Sequence, residues 1–243
     1  MGRTTSFYDL RDALAQPGCA ICRLKAQAVE QYLGGLLWEG VNDLGVRHSI
    51  RQARGLCHEH AWVLVRDGAS VGVAIIMQDV LQNLLKTLEV AQFQALPPLS
   101  LRRVQERLDP GQPAAATAEL IAQLSPQAPC PACTQVEKME SIYLHTLVEH
   151  LLGEEDLLAA YETSDGLCLP HFREALTRVR HEAVFEALVN AQRAIWERLV
   201  GHLSEIIRKS DDRFRNEPRG EEVGGALRAI AALSGPRPGQ GRA

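Results

Sequence analysis

The chain has 243 residues, 46% of them hydrophobic and 5% aromatic, which is enough apolar side chain for one large core or two moderate ones. Its 26 basic and 30 acidic residues give a net charge of −4 without a long basic run, so no nucleic-acid-binding surface is predicted. No apolar stretch approaches the roughly 18 to 20 residues of a membrane helix, and the first residues lack the apolar core of a signal peptide. We therefore expect a cytoplasmic protein that binds no membrane.

Most segments of the chain have the apolar periodicity of an amphipathic helix, and the abundance of Leu and Ala favours helices over strands. In chain order we predict a short helix ending at residue 15, helices over 22–39, 43–54, 57–66 and 70–93, short helices over 101–108 and 114–124, helices over 132–152, 154–163, 168–179 and 182–208, and a last helix over 226–233. The predicted fold class is all-α.

Proline and glycine divide this series of helices into four segments. We predict a first helical repeat over 1–95, a Pro-rich connector over 96–128, a second helical repeat over 129–214, and a C-terminal tail over 215–243. The tail is expected to be partly disordered, in its last ten residues above all.

The cysteines fall in a pattern that repeats after 111 residues. Each half reads C-x2-C-x34-C-x2-H, and no cysteine is left over. The residues so marked are Cys19, Cys22, Cys57 and His60 in the first half, and Cys130, Cys133, Cys168 and His171 in the second. A repeat at a fixed offset implies that one structural unit is used twice. We predict a duplicated helical bundle whose two repeats are related by a pseudo-two-fold axis.

The residue types in this pattern are those of a metal site. A C-x-x-C pair before a helix directs two thiolates at one ion, and a C-x-x-H pair shares one helix face because its members are one turn apart. Three thiolates and an imidazole complete a tetrahedral zinc shell with no vacant position, which is typical of structural zinc. The net −1 charge of such a centre is stabilised by helix N-termini. We predict two zinc ions, each held at helix N-termini by the four ligands of one half.

The doubled motif resembles that of a family of uncharacterised bacterial helical proteins with a repeated C-P-x-C … G-[LF]-C-x-x-H pattern. The matching stretches are Cys-Ala-Ile-Cys-Arg-Leu at 19–24, Gly-Leu-Cys-His-Glu-His-Ala-Trp at 55–62, Cys-Pro-Ala-Cys at 130–133 and Gly-Leu-Cys-Leu-Pro-His at 166–171, with further likeness at 213–215 and 220–222. Ala20 stands where the pattern has proline, a departure that should matter little to ligation. The resemblance implies a fold and metal ligation, and it implies no activity.

Three classes of function remain open. The leading hypothesis is a zinc-stabilised scaffold or adaptor that acts by binding an unknown protein partner. The same ligands also suit an iron–sulfur protein that transfers electrons or acts as a sensor. A metal-independent thiol oxidoreductase is the third class, but it is expected to place C-x-x-C in a βαβ context, which the predicted helices do not offer. No catalytic residue is predicted, and a metal-dependent enzyme would need an active site away from these ions.

Four other residues near the motifs have two interpretations each. Tyr32 and Tyr143 either donate hydrogen bonds to the thiolates or belong to the core, because they lie on apolar helix faces. His58 is a substitute ligand for His60 or an ordinary surface histidine, and Glu59 is a general base or a favourable charge in a first helical turn. The counterparts of His58 and Glu59 in the second half are leucine and proline, which favours the ordinary interpretation.

Overall fold

The computed structural model describes residues 4–93, 115–153, 157–214 and 216–237, and within them it contains helices and no β-strand. The helices are α1 (Thr5–Leu14), α2 (Ala20–Trp38), α3 (Leu44–Gln52), α4 (His58–Val63), α5 (Ser70–Glu89), α6 (Ala115–Leu124), α7 (Pro131–His150), α8 (Leu157–Thr163), α9 (Leu169–Leu176), α10 (Glu182–Lys209) and α11 (Gly225–Ser234), with a 3-10 turn at Gly40–Asn42. The predicted all-α class is confirmed. The helix predicted over 101–108 and the end of the chain after 237 lie outside the described residues, and none of the described helices is long and apolar enough to cross a membrane.

Several helix boundaries recur at the 111-residue offset of the cysteine pattern. The corresponding boundaries are the starts of α2 and α7 at Ala20 and Pro131, the ends of α3 and α8 at Gln52 and Thr163, and the starts of α4 and α9 at His58 and Leu169. The two halves of the sequence therefore begin and end these helices at matching positions. A pseudo-two-fold relation between the halves stays a prediction.

The chain divides into two compact units, and neither unit is one half of the sequence. The first unit consists of Met1–Ala28 and Val136–Ala243, and the second of Val29–Gln135. Each unit thus contains helices from one half together with the short segment around the C-x-x-C motif of the other. The segment boundaries predicted at 95, 128 and 214 concern the sequence repeat and stay a prediction.

The core of the first unit is built from helix faces with the expected spacing. Leu10 and Leu14 of α1 are fully buried with Leu144 and Leu147 of α7, each pair being three or four residues apart and hence on one face. Tyr161 of α8 is buried in the same cluster. This packing fixes the ends of the helices that carry the ligands of this unit.

The second unit has a core of its own. Leu33, Leu36 and Leu37 of α2 pack with Ile50 of α3 and Ile76 of α5. Burial of large aliphatic side chains contributes about 1.5 to 3 kcal/mol each, so this cluster is the main source of stability in the unit.

An ion-pair network also joins α3 to α5 in the second unit. Arg47 and Arg51, one turn apart on α3, each place a guanidinium nitrogen 2.7 Å from a different carboxylate oxygen of Asp79. The hydrogen bond from Arg47 lowers the pKa of Asp79, and the hydrogen bond from Arg51 acts in the same direction.

Candidate metal centres

The eight predicted ligands form two clusters, and each cluster takes one pair from each half of the sequence. Site I consists of Cys19, Cys22, Cys168 and His171, and site II consists of Cys57, His60, Cys130 and Cys133. Within each site the four ligand atoms lie within 4.8 Å of one another. The prediction that each half holds an ion with its own four ligands is therefore wrong. Each site nevertheless lies within a single compact unit.

The error has a simple physical reason. The spacing within C-x-x-C or C-x-x-H determines which two side chains share a helix start, because that geometry is local. It does not determine which second pair comes to meet them. The two C-x-x-H pairs offer the same donors, so only the packing of the helices decides between the partners.

All four ligand pairs use the same local structure. The first cysteine of each pair stands directly before a helix, its carbonyl oxygen accepts a hydrogen bond from the N–H four residues on, and the second ligand follows one turn later. These hydrogen bonds join Cys19 to Arg23 (3.2 Å), Cys57 to Ala61 (2.9 Å), Cys130 to Thr134 (3.1 Å) and Cys168 to Phe172 (2.8 Å). The predicted placement of the ligands at helix N-termini is confirmed for both sites. Free N–H groups at such ends stabilise thiolates.

Site I has the dimensions of a single-ion centre. Nδ1 of His171 lies 3.4 Å from the sulfur of Cys19, 3.2 Å from that of Cys22 and 3.1 Å from that of Cys168, and the sulfurs of Cys22 and Cys168 are 3.6 Å apart. Zinc–sulfur and zinc–nitrogen bonds of about 2.3 and 2.0 Å in a tetrahedron require edges of about 3.8 Å between sulfurs and about 3.5 Å from sulfur to nitrogen. The cluster is close to this size.

Site II has the same dimensions. Nδ1 of His60 lies 3.2 Å from the sulfur of Cys57, 3.7 Å from that of Cys130 and 3.4 Å from that of Cys133. The sulfurs of Cys57 and Cys133 are 3.7 Å apart. All six cysteines of the protein are free thiols, so both sites offer a full set of donors. Both sets fit one tetrahedral ion each.

The doubled ligand pattern on an all-helical chain can now be compared with known proteins. The family model for a family of unknown function, DUF6062, matches residues 4–240. This chain belongs to DUF6062. Membership of a family of unknown function, inferred above from the motif, is thereby confirmed. This DUF6062 protein is similar to an uncharacterized 23.9 kDa protein from the xynA 3′ region of Caldicellulosiruptor sp. (strain Rt8B.4), with 23% identity over 198 residues, 82% of this chain and 84% of the relative. No solved structure matches.

The thiols and the imidazole of site I in this DUF6062 protein perturb one another. Hydrogen bonds from Cys168 and Cys22 lower the pKa of Cys19 well below its usual range, and those from Cys168 and Cys19 raise the pKa of Cys22. Burial lowers the pKa of His171, but hydrogen bonds to Cys168, Cys19 and Glu140 outweigh burial and raise it to about 11. The lowered pKa values of Cys19 and Glu140 place a negative charge at each nitrogen of the His171 ring.

Site II is electrostatically different. Burial lowers the pKa of His60, so its ring is neutral at pH 7 and can act directly as a ligand. Burial raises the pKa of Cys133 to about 12, with the hydrogen bond to Cys57 acting in the same direction. Burial also acts to raise the pKa of Cys130, but hydrogen bonds from the backbone of Cys57, and from that of Cys133 and Ala132 at the start of α7, outweigh it and lower the pKa.

A carboxylate that the motif does not indicate lies beside site I. Oε1 of Glu140 lies 3.1 Å from Nε2 of His171, the ring nitrogen that faces away from the thiols, and its Oε2 lies 2.7 Å from Nζ of Lys25. A carboxylate on the far nitrogen of a ligating histidine fixes the ring and its tautomer. Glu140 lies outside the repeated motif, and no sequence signal distinguishes it from other helical glutamates.

A buried glutamine behind site I was also missed. Gln192 is 1% exposed; its Oε1 accepts a hydrogen bond from the N–H of Leu167 (3.0 Å), and its Nε2 donates to the carbonyl of Leu167 (3.2 Å). The hydroxyl of Tyr161 also donates to Oε1 of Gln192. These bonds hold the backbone directly before Cys168. A polar residue within the apolar face of α10 was the signal that could have revealed Gln192.

The structure places all four residues that had two interpretations, and Tyr32 packs, partly buried, against the core of the second unit. The hydroxyl of Tyr143 donates to Asp9 at 3.2 Å, so Tyr143 belongs to the core and does not contact a thiolate. The ring of His58 lies against that of Trp62, with centroids 6.4 Å apart, and is not a member of site II. Glu59 is exposed in the first turn of α4, as expected of a residue that stabilises a helix N-terminus.

Proposed function

We propose that this protein is a helical scaffold that holds one zinc ion in site I and one in site II. The observation that carries the proposal is the meeting of two helix-capping ligand pairs in each site, with three sulfurs and one imidazole nitrogen at the spacing of a tetrahedral ion. Thiolate and imidazole are the ligands that zinc prefers in closed structural sites. The residues of both clusters thus fit the ion that the sequence predicts.

The ligand distances favour single ions over iron–sulfur clusters. A cluster would place two or more iron atoms and bridging sulfides among its ligands and would spread those ligands further apart. Sulfur–sulfur distances of 3.6 and 3.7 Å leave room for one central ion. A redox protein built on clusters is therefore the less supported alternative.

The proposed role of the ions is to tie distant parts of the chain together. An ion in site I would link Cys22 to Cys168, which are 146 residues apart in sequence, and an ion in site II would link Cys57 to Cys133, which are 76 residues apart. A cross-link between distant residues stabilises the fold by restricting the unfolded chain. Because four protein ligands leave no position for substrate, we assign the ions no part in catalysis.

We further propose that the scaffold acts in the cytoplasm by binding a partner protein. Free thiols fit a reducing compartment. In the second unit, Leu37, Val41 and Ile75 line a cleft of about 190 Å³ together with Trp38 and Val71, which are 79% and 71% exposed. Large exposed apolar side chains around a cleft are a common feature of surfaces that bind proteins.

The test of the metal assignment uses native protein purified without an affinity tag. Elemental analysis should find about two zinc ions per chain, and the protein should be colourless. Removal of zinc by a strong chelator should lower the melting temperature, because the free energy of metal binding is part of the free energy of folding. A brown protein that absorbs near 400 nm would favour the iron–sulfur alternative, and metal-free protein with an unchanged melting temperature would refute structural zinc.

A further inference from the structure

We propose that the two sites are not equivalent: site I exchanges its ion slowly, and site II exchanges its ion at least about 10-fold faster with zinc-binding thiols or chelators in solution. This inference rests on the proposed function, because it requires that both sites bind zinc. In addition, site I has a structural role only, whereas the occupancy of site II depends on the concentration of available zinc. The two sites differ in the burial of their ligands and in the groups that surround them.

Exposure of the ligands differs between the sites. In site I, Cys168 is 1% exposed and His171 is 6% exposed, whereas all four ligands of site II are half-buried. A competing ligand must reach the ion for exchange to occur. Site II is therefore the more accessible of the two.

The histidines differ in what holds their second ring nitrogen. Nε2 of His171 contacts Glu140, and Glu140 is itself paired with Lys25. Among the described residues no carboxylate pairs with Nε2 of His60. Loss of such a carboxylate partner typically weakens metal binding by about 10- to 100-fold.

At site I, side-chain hydrogen bonds hold the residues directly before the ligating cysteines, whereas at site II a backbone hydrogen bond from the N–H of Gln127 to the carbonyl of Gln52 (2.8 Å) joins the two ligand-bearing segments. The N–H of Gly18, directly before Cys19, donates to Oδ2 of Asp165 at 2.6 Å, which joins the two ligand-bearing loops of the site. Gln192 fixes both backbone groups of Leu167, directly before Cys168. Opening of site I requires that these hydrogen bonds break together with the metal bonds.

The duplication provides an internal comparison, because each supporting residue of site I has a counterpart at an offset of 111. The pairs are Glu140 with Val29, Lys25 with Val136, Gln192 with Leu81, Asp165 with Arg54, and Gly18 with Pro129. Valine and leucine cannot accept a hydrogen bond through their side chains, and proline has no N–H to donate. The counterpart residues at site II therefore cannot form the hydrogen bonds that support site I.

The experiment compares metal protection of the cysteines in wild-type protein loaded with two zinc ions. The protein is exposed to excess chelator and pulsed with N-ethylmaleimide at increasing times, and labelled peptides are quantified by mass spectrometry. The four ligand pairs lie on separate tryptic peptides, so the sites are read independently. Labelling rates of metal-free protein, measured in the same way, correct for the intrinsic accessibility of each thiol.

After this correction we expect Cys57, Cys130 and Cys133 to be labelled at least about 10-fold faster than the cysteines of site I. Equal protection of both sites, or faster labelling of site I, would overturn the inference. If neither site is protected relative to metal-free protein, the proposed function fails, and this outcome is distinct from equal protection.

A pair of variants tests the role of Glu140 as a positioning residue. Glu140→Gln should accelerate labelling of Cys168 about 10-fold or more and leave Cys57 unchanged. Glu137→Gln, an exposed change on the same helix, is the matched control and should alter neither rate. Unchanged protection of site I in Glu140→Gln would show that the carboxylate does not account for the difference between the sites.

Discussion

Replacement of Cys168 by serine tests which ligand pairs share an ion. A serine hydroxyl is a poor ligand for zinc, so Cys168→Ser should release one ion and leave the other bound. The structure predicts that the thiols exposed by this change are Cys19 and Cys22, which share site I with Cys168. If the halves of the sequence held their own ions, Cys130 and Cys133 would be exposed in their place.

The expected loss of stability follows from the length of chain that each ion closes. A cross-link between Cys22 and Cys168 closes 146 residues, which corresponds to about 5 kcal/mol of chain entropy in the unfolded state. The 76 residues between Cys57 and Cys133 give about 4.5 kcal/mol, whereas closure of the 34-residue gap within one half would give only about 4 kcal/mol. For a chain of this size, 5 kcal/mol lowers the melting temperature by roughly 10 to 20 °C.

The assay combines zinc analysis, thiol labelling and thermal unfolding followed by circular dichroism. Cys57→Ser is the matched control, since it should release the other ion and expose Cys130 and Cys133. If Cys168→Ser exposes Cys130 and Cys133 and leaves Cys19 and Cys22 protected, the C-x-x-C and C-x-x-H pairs of one half share an ion, and the ligand sets of sites I and II are refuted. A melting temperature within a few degrees of wild type, despite loss of the ion, would refute the structural role.

Three further outcomes are expected. Gly166→Ala should destabilise the protein by about 2 to 6 kcal/mol in thermal unfolding, because the φ of Gly166 is +69° and a Cβ there would lie 2.9 Å from the side chain of Gln192. Gly55→Ala is the control: Gly55 has a φ of +108° and no atom within 4 Å of its Cβ, so the change should lower the free energy of unfolding only by the backbone strain of about 1 to 3 kcal/mol. If Gly166→Ala and Gly55→Ala destabilise the protein equally, the close contact with Gln192 has no effect on stability. Asp79→Asn should lower the free energy of unfolding at pH 7, because the hydrogen bond from Arg47 lowers the pKa of Asp79 in the folded state. In urea titrations, the difference in free energy of unfolding between wild type and Asp79→Asn should persist above pH 3.9, which is about the pKa of an aspartate in the unfolded chain, and shrink as the pH falls below it. A difference that does not depend on pH would refute the ion pair. Gln192→Leu should leave the backbone N–H and carbonyl of Leu167 without partners, which should lower the free energy of unfolding by roughly 2 to 6 kcal/mol. Amide hydrogen exchange at Leu167 and Cys168 should then be faster than in wild type. Unchanged exchange would contradict the support of this backbone by Gln192.

The sequence by itself identified all eight residues of the two clusters and the local structure around them. The three-residue spacing of each pair and the helical periodicity after it are local properties, and a helix start is determined within one or two turns of chain. The glycine two residues before each C-x-x-H pair is part of the same local structure, with a positive φ of +108° at Gly55 and +69° at Gly166. The all-α class followed for the same reason, since it is the sum of local periodicities.

The tertiary structure alone decided which pairs meet and how each site is supported. The C-x-x-H pairs at Cys57 and Cys168 have the same donors and the same spacing, so nothing within either motif favours one partner over the other. The choice depends on contacts between residues up to 152 positions apart, such as that of Cys19 with His171. The contact of Glu140 with His171 likewise joins residues of α7 and α9 that are distant in sequence, which no pattern in a single segment encodes. Local spacing determined which residues form each pair, and long-range packing determined which pairs meet.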